Sequence, residues 1–225
     1  MKPEIGLGVY SMADAAALTG GNEATLRTWF RGRRKHAPIF SPDYSAVGAQ
    51  QPLSFLDLID ALVMTRLRKM GFSLQYLRQI FKAAQTRATH KHGFAHRILC
   101  TNGGEILMAE LDSADDHDKA RLIDLVRPNQ TVALNLLAPT LDDIKFGSKL
   151  FAYRWEPVPG IVVNPRVNLG TPTLEGTGIA ARVLWDAWQA NNRNTALVAE
   201  WYSIDEKRVT AAVDFIQRSP LKHAA

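Results

Sequence analysis

Five side chains within nine residues, Glu23, Thr25, Arg27, Thr28 and Arg31, share a chemistry suited to a polyanion. Guanidinium groups pair with phosphate oxygens and with guanine edges, and threonine hydroxyls reach either kind of acceptor. Directly behind them lies the basic cluster Arg31, Arg33, Arg34, Lys35. Such residues do useful work only if one helix face holds them out together.

The surrounding sequence supplies that helix. Asn22 is placed as N-cap, Leu26 and Trp29/Phe30 fall on the face opposite the polar set, and Gly32 ends the run. Ahead of it, Ser11 precedes Met12, Ala15, Ala16 and Leu18, which stop at Gly20-Gly21. Two short helices joined by a tight glycine turn describe a helix-turn-helix, with the second helix reading a major groove.

From His36 to Pro52 the chain is punctuated by Pro38, Pro42, Gly48 and Pro52, which predicts a small hairpin or wing. Ser54 with Asp57 then makes a capping box for a long apolar helix ending in Arg66, Arg68 and Lys69. Gly71 breaks it, and Ser73 starts another helix reaching about Arg87 along Leu74, Leu77, Ile80, Phe81 and Ala84.

Charge follows the same division. The chain has 225 residues and a formal charge of +5, yet the first ninety carry twelve Lys/Arg against six Asp/Glu, so the excess sits at this end. Asymmetry of this kind implies a polyanionic partner for one region only. With 46% apolar and 22% charged residues the composition is that of a globular protein, and wholesale disorder is excluded. No run approaches the roughly 20 apolar residues of a spanning helix, and the opening stretch carries an acid and no uninterrupted apolar core, so the cytoplasm is the expected location.

Beyond His90 the pattern changes. Phe94–Cys100 and Ile106–Leu111 flank Thr101-Asn102-Gly103-Gly104 and predict a β-hairpin. Asp112–Asp118 reads as a solvated acidic loop, Arg121–Val126 as a strand and Asn129–Leu141 as a helix. Strands are expected at Leu150–Trp155 and Ile161–Val163, either side of Pro157-Val158-Pro159-Gly160. The last sixty residues predict three short helices, over Ala180–Ala190, Thr195–Tyr202 and Asp205–Gln217, with Thr195 and Asp205 as N-caps. The fold class is therefore α+β and mainly α: a winged helix-turn-helix over residues 1–90, a β-containing segment over 91–159, and a small helical, helix-turn-helix-like domain over 160–225.

Other reactive residues point away from an enzyme. His90, His92 and His96 have a ligand-like spacing, but no second cysteine or nearby carboxylate cluster completes it, so neither metal nor cofactor is expected. The single cysteine, Cys100, lies in an apolar run and is expected to be buried. Asp112, Asp115, Asp116 and Asp118 lack the glycine and terminal glutamate of a calcium loop. No nucleophile turn or phosphate loop is present. Trp188 and Trp201 are expected in the C-terminal core, with Trp155 and Trp185 open to either role.

In order, Tyr10-Ser11, Ala15-Ala16, Leu18, Thr25-Leu26-Arg27-Thr28-Trp29, a wing, and a long helix followed by Gly71-Phe72-Ser73-Leu74 resemble a MerR-type winged helix-turn-helix. More narrowly, Leu53-Ser54-Phe55-Leu56-Asp57-Leu58 and Asn102-Gly103-Gly104-Glu105-Ile106-Leu107 resemble the DNA-binding half of VapB-type antitoxins. The stretch Asn164-Pro165, Gly170-Thr171-Pro172, Gly176-Thr177 and Val198-Ala199-Glu200-Trp201-Tyr202 is similar to a small helical domain found in antitoxins, although Gly178 stands where that domain usually has arginine. The resemblance implies a type II antitoxin: a homodimer that binds double-stranded operator DNA to repress its own gene and neutralises a PIN-like ribonuclease toxin. Under it Thr25, Arg27, Thr28, Arg31, Arg33, Arg34 and Lys35 contact DNA. A ligand-responsive MerR-like regulator without a toxin is the alternative, and a protein with a DNA-binding unit at each end is the third.

Overall fold

The computed structural model describes residues 8–33, 37–100, 106, 115–120 and 141–219. Its architecture is mixed, mostly helical, with one small four-stranded antiparallel sheet.

Helix α1 (Met12–Thr19) starts on Ser11, whose hydroxyl accepts from the Asp14 amide at 3.0 Å while the Asp14 carboxylate accepts from the Ser11 amide at 3.1 Å. Gly20, in the left-handed region, ends it. Helix α2 (Glu23–Arg31) is capped by Asn22 and buries Leu26, Trp29 and Phe30. Both pack beside α3 (Phe55–Lys69), whose Phe55, Leu58, Ile59, Leu62, Met64 and Leu67 are almost wholly enclosed. Helix α4 (Leu74–Ala88) closes this end, burying Tyr76, Leu77, Ile80, Phe81 and Ala84.

Where the wing is predicted between α2 and α3, Val47 pairs with Gln50 through two bonds of 2.8 and 3.0 Å, and His36 lies outside the described residues. Pro42 and Pro52 have no N–H to give to a ladder, and Phe40 leaves the surface for the core. Its ring packs 4.9 Å from both Phe30 and Phe81.

The hairpin expected over Phe94–Leu111 is corrected in its first arm, while residues 101–105 and 107–111 lie outside the described residues. Residues 95–97 pair with 150–152 at the sheet edge, after which Ile98, Leu99 and Cys100 are helical, as is Ile106. His96 Nδ1 accepts from the Ile98 amide at 3.0 Å and starts that turn. A short apolar run fits either period, and here contacts with α3 and the sheet chose. The acidic loop is likewise corrected at its end: residues 116–120 are helical and Asp118 is buried, accepting at 2.7 Å from the Ser73 amide at the head of α4. The strand expected at Arg121–Val126 and most of the helix at Asn129–Leu141 lie outside the described residues.

Strands β1 (Ile144–Phe146), β2 (Ala152–Val158), β3 (Ile161–Val163) and β4 (Thr173–Leu174) follow one another in a meander. Val158 faces Ile161 across a turn at Pro159-Gly160, and Ile144 faces Trp155. Arg66 of α3 grips Asp143 with bonds of 2.8 and 2.5 Å, and the same carboxylate accepts from Trp155 Nε1 at 2.8 Å. Trp155 is thus a core residue, 2% exposed.

Helices α5 (Ala181–Ala190), α6 (Thr195–Tyr202) and α7 (Glu206–Arg218) enclose a second apolar cluster with Ile161, Leu174, Leu184, Val198, Val209 and Ile216. Asp205 caps α7 as expected, but α6 is capped by Asn194, one residue before Thr195. Trp188 packs on this cluster, whereas Trp201 is 58% exposed, contrary to expectation. On α6 the inward positions belong to Val198 and Ala199, which leaves Trp201 on the outer face.

Among the described residues, the N-terminal segment is bonded to this end at Val9, whose N–H donates to Leu169 O at 3.2 Å, and at the buried Tyr10, whose hydroxyl donates to Gly170 O at 3.0 Å. Gly170 has φ +85°, and a Cβ there would lie 1.9 Å from the Tyr10 oxygen. Gly170→Ala is therefore expected to cost about 3 kcal/mol, from overpacking together with left-handed strain. Urea unfolding measures it, and a loss under about 1 kcal/mol would show that the junction yields freely.

Candidate nucleic-acid interface

Helix α2 presents its predicted residues outward. Thr25, Arg27, Arg31 and Arg33 are exposed and Thr28 is half-buried; Arg34 and Lys35 lie outside the described residues. Capping by Asn22 fixes where the helix begins, and burial of Leu26, Trp29 and Phe30 fixes which face turns out. The structure gives the polar side chains jobs that spacing alone did not. Arg27 binds Glu23 one turn earlier, at 2.9 Å through Nε and 2.5 Å through the terminal nitrogen. Thr28 donates its hydroxyl to Ala24 O at 3.0 Å, leaving its lone pairs free to accept. Arg31 reaches across to donate to Ala49 O at 2.7 Å, which ties the 47–50 turn to the helix.

Together α2, the start of α1 and that turn border a groove of about 530 Å³ lined by Ser11, Glu23, Arg27, Arg31, Val47 and Gln50 among others. Its surface carries two guanidinium groups and one carboxylate. Phosphate or a base edge arriving here must compete with Glu23 for Arg27, while Arg31 can keep its bond to Ala49 with one nitrogen and offer others, since the group has five N–H donors. The exposed Val47, paired with Gln50 at the base of the turn, is 72% accessible.

Behind this surface lies a polar network that sequence spacing did not reveal. His92, 1% exposed, stands between Asp60, 2.7 Å from Nδ1, and Asp43, 3.1 Å from Nε2. Asp60 also accepts from the Phe94 and Ala95 amides at 2.9 and 2.8 Å. Asp43 binds Lys91 at 2.6 Å and Ser54 Oγ at 2.5 Å, and its own amide donates to Asp57 at 3.1 Å. Burial works against a charged His92, but the hydrogen bonds it gives to Asp43 and Asp60 and the charges of both carboxylates outweigh it and push its pKa up to about 10. Burial pushes the Asp57 carboxyl up to about 6 despite the amides it accepts from Ser54 and Asp43. Histidine spacing pointed at this place, but the carboxylate cluster judged absent is present, contributed by Asp43, Asp57 and Asp60 from 32 to 49 residues earlier in the chain.

The other two histidines do not complete a triad: His90 is tilted against Phe151 and His96 meets it edge-on, with ring centroids 4.5 and 4.9 Å away, and His90 Nδ1 accepts from the His92 amide at 3.2 Å. Among the described residues, one ligating atom from each of Asp43, Asp57 and His92 falls within 4.8 Å of the others, and so do atoms of Asp115, His117 and Asp118. Cys100 is exposed, not buried, because the turn into a helix at Ile98 points it outward. A second, smaller cavity of about 210 Å³ lies where the two ends meet, between Tyr10, Asp14, Leu18, Pro172, Arg182 and Ile216. No helix among the described residues is long and apolar enough to cross a membrane.

Residues 161–216 match the model of a family described as a protein of unknown function, DUF433. As a whole the chain is similar to the crystal structure of Rv2018 from Mycobacterium tuberculosis, with a TM-score of 0.73 at 22% identity, covering 91% of this chain and 97% of that one. No curated protein matches it.

Proposed function

We propose that this chain is a DNA-binding antitoxin of type II: α1, the Gly20-Gly21 turn and α2 act as a MerR-like helix-turn-helix with the 47–50 turn as its wing, and the C-terminal half engages a PIN-like ribonuclease toxin. The observation that carries the DNA reading is the outward face of α2, with Thr25, Arg27, Arg31 and Arg33 exposed beside a turn that Arg31 itself holds. Support for the toxin half comes from the C-terminal sequence resemblance, and the region is electrically balanced, with Arg182–Asp186 and Arg218–Asp214 paired along their own helices. A homodimer reading two half-sites follows from the helix-turn-helix geometry. As an antitoxin and repressor the chain performs no catalysis.

The test is co-expression with the neighbouring reading frame. Purifying this chain by a tag is expected to bring down a small ribonuclease, and the pair is expected to retard DNA from upstream of the gene. Recovery of this chain alone, with no effect on the neighbour's ribonuclease activity, refutes the toxin half. The cavity between Tyr10 and Arg182 favours a second reading, a ligand-responsive regulator without a toxin, in which a small molecule wedged between the two ends alters DNA affinity.

A further inference from the structure

We infer that Asp43, Asp57 and His92 form a binding site for a divalent transition-metal ion, with zinc as its natural occupant, that pins the segment carrying the 47–50 turn onto α3. The three side chains come from three separate stretches: Asp43 from the segment before the turn, Asp57 from the first turn of α3, and His92 from beyond α4. Their ligating atoms gather within 4.8 Å of one another.

The observation pointing to a ligand is the Asp57 carboxylate. It is 1% exposed; one oxygen accepts from the Ser54 amide at 2.9 Å and the Asp43 amide at 3.1 Å, while Oδ1 has no hydrogen-bond partner. That oxygen lies on the His92 side of the carboxylate, 4.0 Å from Nδ1, the ring nitrogen that Asp60 engages. An ion shared with Nε2 and Asp43 would draw it across within the 4.8 Å that separates the three groups. A buried carboxylate oxygen left in this way is costly, and buried charges are normally paired or bound to metal.

Asp43 stands at the open edge of the group: Lys91 holds its Oδ1 at 2.6 Å, Ser54 Oγ donates to its Oδ2 at 2.5 Å, and His92 Nε2 lies 3.1 Å from each of the two oxygens, which keep further lone pairs to offer.

Asp60 supplies the support that metal-bound histidines usually have. Fixed by the Phe94 and Ala95 amides, it lies 2.7 Å from Nδ1 and is placed to take that N–H, so that an ion displacing the Nε2 proton would find the Nε2 lone pair directed at Asp43. One imidazole nitrogen with two carboxylate oxygens suits zinc better than magnesium or calcium, which take all-oxygen shells.

The experiment uses the full chain, treated with a chelator, returned to chelator-free buffer and titrated with Zn²⁺ or Mg²⁺ in a calorimeter. One equivalent of Zn²⁺ is expected to bind saturably and to raise the thermal midpoint, with no comparable heat from Mg²⁺. Asp57→Asn keeps an oxygen for the Ser54 and Asp43 amides, so its fold is expected to hold while Zn²⁺ affinity falls by at least about 100-fold, more than loss of a supporting partner costs. Asp43→Asn is the second variant, expected to behave alike, with circular dichroism confirming the fold of each. His117→Ala, which breaks the other carboxylate–histidine group, is expected to leave binding unchanged. Absence of saturable Zn²⁺ binding overturns the site, as does binding that survives both aspartate variants or disappears with His117→Ala. No readout here involves DNA or toxin, so failure of the site and failure of the antitoxin reading are separate results.

Discussion

Asp60→Ala is expected to destabilise the protein by about 3–5 kcal/mol, the usual consequence of removing one partner from a buried charged pair. The magnitude follows from what the carboxylate holds. It is fully enclosed in the middle of α3 and accepts from Phe94 N–H, Ala95 N–H and His92. Alanine leaves two amides and an imidazole in a place water does not reach, and each orphaned donor costs about 1–3 kcal/mol. Asp60→Asn restores part of the acceptor capacity and is expected to lose less. Urea unfolding followed by tryptophan fluorescence measures both, with Trp29 and Trp155 buried in the same cluster as reporters. A change below about 1 kcal/mol for alanine would mean that water enters the network and that the distances describe a looser site than they imply.

Arg27→Ala with Arg31→Ala is expected to weaken binding to upstream DNA by about 100-fold at moderate salt, and to reduce the slope of log affinity against log salt by about 2 if both contact phosphate. Arg31 is asked to do two things, since its bond to Ala49 O also holds the 47–50 turn; its loss removes a charge and loosens the neighbouring contact surface together. Glu23 provides a control of opposite sign. It occupies Arg27 at 2.5 Å, so Glu23→Gln is expected to free that guanidinium and strengthen binding several-fold. Gel shifts across a salt series read all three proteins. Unchanged affinity in the double arginine variant removes α2 from the interface, whatever Glu23→Gln does.

These two predictions draw on different parts of what a sequence can say. Arg27 and Arg31 were visible as a basic helix face because the signals that make α2 are close neighbours: Asn22 caps Thr25, Gly32 ends the helix, and Leu26, Trp29 and Phe30 repeat at helical spacing. The role of Arg31 as a strut was not visible, because Ala49 offers only a backbone oxygen and any residue could have offered it. Asp57 was legible as the third residue of a capping box. Asp60, three residues on, reads as one more polar position on a long helix, and nothing near it announces His92.

Local physics therefore settled the helices of both ends, their caps at Ser11, Asn22, Ser54, Ser73 and Asp205, and the stops at Gly20 and Gly32. Each rests on hydrogen bonds spanning a few residues, and such bonds leave a pattern in the sequence. Where one period competes with another over a short run, as at Phe94–Cys100, or where burial depends on which helix arrives from elsewhere, as at Trp201 and Cys100, the sequence had no vote. The network around His92 joins positions 32 and 49 apart, Ser73 meets Asp118 across 45, and Tyr10 meets Gly170 across 160. Contacts at those separations exist only once the chain has closed, because desolvation makes a lone buried carboxylate or imidazole unfavourable until its partner is already in place.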